Sequence, residues 1–275
     1  MDEAMYTLAA SESEVRGAEA IFSFLPPEWI PYKFGFIALV LGLLIWINLR
    51  GVKESVVTLT PIFVAFLLTD IPLILYAVFR HLPDLPAVGA RVSTDLNAAS
   101  AELGGLGVGA RLLRAYSMGA GTYTGIEAVS NSMQTLREPR VQTGKRAMAY
   151  LSISLAFMAG GIILGYVLND VVPAPGKTLN AVLFGGLSND LFSGEPAKYL
   201  TAFVLFTEAV LLFVAAQTGF LGGPQVLSNM ANDSYMPRRF AHLSERLVTK
   251  YGVWLMGGMA FLMLFITGGS VRYLV

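Results

Sequence analysis

GAGTYTGIEAVSNSM, Gly119 to Met133, decides how many times this chain crosses a bilayer. It lies between runs that read as membrane-spanning helix. Yet it is too rich in glycine and polar side chains to be an ordinary span, and it carries a carboxylate, Glu127. Around it the 275 residues are 55% hydrophobic and 14% charged, with a mean hydropathy of +0.60. Soluble domains carry about a quarter charged residues, so the composition places the chain in a membrane. The formal net charge of zero argues against a nucleic-acid partner. The absence of cysteine excludes disulfides, thiolate metal sites and cysteine nucleophiles. His81 and His242 fall in predicted loops, so no metal site is expected. No nucleophile–base pair is visible, and the chain does not read as an enzyme. The acidic start lacks the basic-then-apolar order of a signal peptide.

Five apolar segments are predicted to span the membrane: Phe34–Leu49, Val56–Phe79, Met148–Leu168, Tyr199–Leu221 and Gly252–Thr267. A hydrocarbon core of about 30 Å takes roughly 17–25 helical residues, and helix is the form that satisfies its own backbone in lipid. The sixth candidate is Gly109–Leu136, which contains the opening stretch. If it crosses, ten basic residues share one side: Arg50, Lys53, Arg137, Arg140, Lys145, Arg146, Arg238, Arg239, Arg246 and Lys250. The opposite loops, 80–108 and 169–198, hold only Arg80, Arg91, Lys177 and Lys198. The positive-inside rule therefore favours about six spans, with the basic side cytoplasmic. The expected address is the cell (inner or plasma) membrane, multi-pass, with the lipid bilayer as a partner.

Gly119, Gly121 and Gly125 fall within seven residues, with Thr122, Tyr123 and Thr124 between them. Glycine costs about 1 kcal/mol relative to alanine inside a helix, so this cluster is where the helix is expected to unwind. Irregular backbone at membrane depth is tolerated where it is buried in protein or lines a cavity, and transporters use such breaks to meet a midplane substrate. Glu127 follows two residues after Gly125; Tyr123 and Asn131 lie four residues to either side of it, on one helical face. A carboxylate within a span costs about 3 kcal/mol by insertion scales and is a functional candidate. The candidate substrate- or ion-binding set is therefore Gly121, Thr122, Tyr123, Thr124, Gly125, Glu127 and Asn131. The structural alternative is a glycine-packed helix interface with one partnered glutamate.

Asp70, beside Ile71-Pro72, and Glu208 also fall within spans and are candidates for ion or proton coupling, or for pairing with a partner helix. Gln217, Thr218 and Gly219 form a polar patch that could line a cavity or bond a neighbour.

Three stretches, WINLRGVKES (Trp46–Ser55), YTGIEAVSNSMQTLREPR (Tyr123–Arg140) and ANDSYMPRRF (Ala231–Phe240), resemble motifs of the amino acid–polyamine–organocation permeases. The chain is most similar to bacterial amino acid permeases and their potassium-uptake relatives. The resemblance implies an all-α transmembrane, partial LeuT-type helical bundle with one discontinuous helix at 109–136, whose break falls on Gly119–Gly125. It also implies a division into residues 1–32, an N-terminal segment with a remnant of a preceding helix; 33–80, two spans ending the first repeat; 81–108, an extracytoplasmic linker with a short surface helix; and 109–275, four spans of an incomplete second repeat. The expected chain is a fragment covering about helices four to nine, with the remaining helices of the full-length transporter as partners. The implied function is secondary transport of a small-molecule or ion substrate by alternating access, an amino acid first. Potassium uptake, and a non-transporting membrane scaffold or sensor, are the alternatives. No cofactor is expected; H+, Na+ and K+ are the candidate coupling ions.

Overall fold

The computed structural model describes residues 2–50, 56–118, 136–242 and 249–269. They form helices, with no strand among them: α1 (Asp2–Phe22), α2 (Lys33–Arg50), α3 (Val56–Arg80), α4 (Leu85–Met118), α5 (Arg140–Leu168), α6 (Leu179–Leu191), α7 (Glu195–Asn232) and α8 (Lys250–Thr267). Five segments are long and apolar enough to cross a membrane: Pro27–Arg50, Thr60–Arg80, Arg140–Leu168, Glu195–Asn232 and Lys250–Thr267. They coincide with the five apolar runs. The chain is an all-α membrane protein. The sixth crossing, and the helix break proposed for it, fall on residues 119–135, outside the described residues.

Two compact units divide the chain, Met1–Thr69 with Pro173–Val275, and Asp70–Val172. In the first, α1, α2, α7 and α8 meet in one apolar core that includes Val15, Ala18, Leu41, Ile45, Phe220 and Met256. Small residues let these helices approach closely, as lipid-embedded helices require. A Cβ at Gly17 would stand 2.8 Å from the Phe213 ring and 3.2 Å from the Ala209 carbonyl, so α1 lies directly against α7. Leu39, Phe265 and Ile266 remain exposed on the outside of the spans, where hydrocarbon suits them.

A polar clasp crosses this core. Asn48 Nδ2 donates to Gln217 Oε1 at 3.0 Å, and Gln217 Nε2 donates back to Asn48 Oδ1 at 3.1 Å; both residues are buried. Gln217, read from the sequence as either cavity lining or a helix-to-helix bond, is the latter. Removing one partner strands a buried amide at about 1–3 kcal/mol, whereas replacing both by apolar groups is nearly neutral. Gln217→Leu alone is therefore expected to lower the detergent melting temperature, and Asn48→Leu added to it is expected to restore most of the loss.

In the second unit, Leu73, Ile74 and Ala77 of α3 are buried. Gly161 of α5 sits so close to Ile74 that a Cβ there would approach its Cγ2 to 2.4 Å. Arg91 of α4 pairs with Asp170 just past α5. That hydrogen bond, with Asp95 and Asp84 nearby, raises the affinity of the exposed guanidinium for its proton.

Three elements add to the expectation. The N-terminal segment, expected to hold only a remnant of a preceding helix, is helical from Asp2 to Phe22. The linker is helical from Leu85, and a kink at Gly104, whose φ of 72° glycine tolerates, parts this stretch of α4 from the one that ends at Met118. Between α5 and α7 stands α6, capped by Thr178, whose side chain accepts from the Ala181 N–H at 3.2 Å.

Candidate functional site

A membrane helix that carries a carboxylate needs a neighbour close enough to shield it. α7 carries Glu208 in its N-terminal half, and α6 lies against this helix. Asn180 is the second residue of α6, and its Nδ2 donates to Glu208 Oε1 at 2.6 Å. Glu208 Oε2 is buried and has no hydrogen-bond partner among the described residues. One oxygen is thus fixed and the other is left without a partner among the described residues.

α1 adds a second carboxylate that the sequence reading missed. Glu14 is 1% exposed, and its Oε1 has no partner among the described residues. It shares the packed side of α1 with Ala10, Gly17 and Ala18. The polar side carries Glu12, Arg16 and Glu19, spaced four and three residues apart, so they form one stripe. Arg16 Nη2 pairs with Glu12 Oε1 at 2.6 Å, and Lys33 Nζ pairs with Glu19 Oε1 at 2.9 Å. The signal that marks Glu14 is its place among small residues at helical spacing, and the charges on the other face obscure it.

Asp70 belongs to the second unit, is 1% exposed and is engaged by a partner. Glu208 belongs to the first. Gly121, Thr122, Tyr123, Thr124, Gly125, Glu127 and Asn131 all lie outside the described residues. Among the described residues no group of three or more His, Cys, Asp and Glu could hold a metal ion. What the described part offers instead is oxygen: carboxylates, amides and hydroxyls at depth, which suit hard cations rather than soft ones. Its fully buried polar residues are Ser11, Glu14, Ser23, Asn48, Asp70, Ser188, Thr207, Gln217, Thr249 and Thr267, with no lysine, arginine or histidine among them.

A family model described as amino acid permease matches residues 4–275. This chain belongs to the amino acid permease family. Among curated proteins, the potassium transporter KimA of Bacillus subtilis (strain 168) is 30% identical over 273 residues. That match covers 98% of this chain and 42% of KimA, so this permease-family chain spans less than half the length of its relative. The family places the chain in the membrane, in keeping with its five apolar helices.

Proposed function

We propose that the chain is part of a secondary transporter that moves a small cation, potassium first, across the cell membrane. The observation that carries this reading is the sign of the buried interior: Glu14 is fully buried with one carboxylate oxygen unpartnered among the described residues, and no basic side chain among them is fully buried. A carboxylate at depth is costly unless something positive answers it, and a permeating cation is such an answer. Similarity to a protein named as a potassium transporter supports the same reading. Glu208 is the coupling candidate in the described part, because Asn180 holds one oxygen and leaves the other open.

A second reading, transport of an amino acid, is favoured by the family description. The same carboxylates would then face its ammonium group. Uptake by cells lacking their own potassium uptake separates the two. Rubidium accumulation that excess amino acids do not compete is the expected result. Accumulation of a labelled amino acid without rubidium would replace the cation reading with the second, and no uptake of either would favour a scaffold or sensor. Glu208→Gln keeps the size and the bond from Asn180 but removes the charge. Charged hydrogen-bonding groups contribute about 1.5–3 kcal/mol, so rubidium uptake by this variant is expected to fall about tenfold or more at unchanged protein level.

A further inference from the structure

At the end of α1, three parts of the first unit enclose a cavity of about 230 Å³ that the transport reading does not use. One wall is the end of α1 with Glu19, and Ser23 just past it, a second is Lys33 at the start of α2, and a third is the segment before α6 with Lys177. Ser23 fixes two of the walls to each other: its hydroxyl donates to the Glu19 carbonyl at 2.6 Å and accepts from the Thr178 N–H at 3.0 Å. Phe22 and Ile30 give the cavity an apolar side. By the charge bias of the loops, it opens on the extracytoplasmic side.

The charges decide what fits. Lys33 is tied to Glu19 at 2.9 Å, both partly buried. Lys177 is exposed and has no ion pair among the described residues. Two ammonium groups repel a metal cation, so this is not a stop on a cation path. A carboxylate in the same wall disfavours a dianion such as sulfate. A molecule carrying both signs suits this lining, with its carboxylate on Lys177 and its ammonium beside Glu19, whose Oε1 is already held by Lys33. At roughly 30 Å³ per water molecule, the cavity has room for a ligand with a short apolar side chain against Phe22 and Ile30.

We propose that this cavity is a binding site for a small zwitterion, an α-amino acid with a short apolar side chain, separate from the translocation site. The inference stands whether the cargo is potassium or an amino acid. It gives a role to Lys177, a cation that lines a partly apolar cavity and has no ion pair among the described residues. The ligand would also join α1, α2 and the segment before α6, so occupancy would hold these three together.

The test is a titration of the purified chain in lipid nanodiscs with L-alanine, acetate and ethylammonium, followed by ligand-observed NMR. Saturable L-alanine binding is expected, with acetate and ethylammonium each at least tenfold weaker. Lys177→Ala, an exposed change that leaves the fold intact, should weaken L-alanine at least tenfold, and Lys177→Arg should restore it to within about threefold. Glu19→Gln should weaken L-alanine without weakening acetate. Acetate binding as tightly as L-alanine, L-alanine binding unchanged in Lys177→Ala, or the absence of saturable binding would overturn the proposal. So would loss of binding in Glu127→Gln, which would move the ligand to the translocation site.

Discussion

Glu127→Gln is expected to abolish rubidium uptake by the transporter that contains this chain, with a loss of about 100-fold. The reasoning starts from cost. A carboxylate in a span carries about 3 kcal/mol of insertion penalty, and 1.4 kcal/mol corresponds to tenfold in an equilibrium. If a bound cation offsets that penalty, removing the charge removes about two orders of magnitude of cation affinity. Glutamine keeps the length and a carbonyl oxygen, so the helix and its packing survive. The neighbours sharpen the prediction. Thr124 precedes Glu127 by three residues and Asn131 follows it by four, so the sequence keeps two further oxygen-bearing side chains near it along the chain. Thr124→Val should therefore show a partial loss in the same assay. Uptake at the unmodified level in Glu127→Gln, with the protein present in the membrane, would return this residue to helix packing.

Gly17→Leu is expected to damage folding strongly. A Cβ there would already meet the Phe213 ring at 2.8 Å and the Ala209 carbonyl at 3.2 Å. The ring could tilt, but the carbonyl belongs to the α7 backbone and cannot yield without moving the helix. Leucine adds three more carbons in the same space. Overpacking of this kind costs about 1–3 kcal/mol, occasionally more, and each kcal/mol lowers the melting temperature of a chain this size by about 2–4 °C. A fall of roughly 5–10 °C should appear in a detergent melt. Gly35→Leu is the control, because a Cβ at Gly35 meets nothing within 4 Å. Equal losses in both variants would mean that leucine, and not the α1–α7 approach, is responsible.

The five apolar spans could be read directly because each is a long run with few charges, and a window average captures that. α1 defeated the same reading. Its window holds Glu12, Glu14, Arg16 and Glu19, and an average cannot tell that three of these share the polar side while Glu14 faces the bundle. Reading by helix face would have found it, since Ala10, Glu14, Gly17 and Ala18 recur at the spacing of one packed side. α6 carried its own signal, a threonine cap followed by Leu179, Val182, Leu183 and Leu187, but its 13 residues are too short to register as a span. At the candidate site, Asp70, Glu208 and Gln217 stood out as polar groups inside apolar runs. Their partners did not: Asn48 is 169 residues from Gln217, and Asn180 lies in a segment taken for a loop.

The Asn48–Gln217 clasp has an electrical consequence. A unit charge moved across a bilayer feels about 2.3 kcal/mol for every 100 mV, so Glu14 and Glu208, when ionised, are subject to the resting potential. Two amides that exchange hydrogen bonds carry no net charge, and the field exerts no net force on them. The clasp thus joins α2 to α7 without adding a charge for the field to pull on, and what the potential drives on α7 is Glu208.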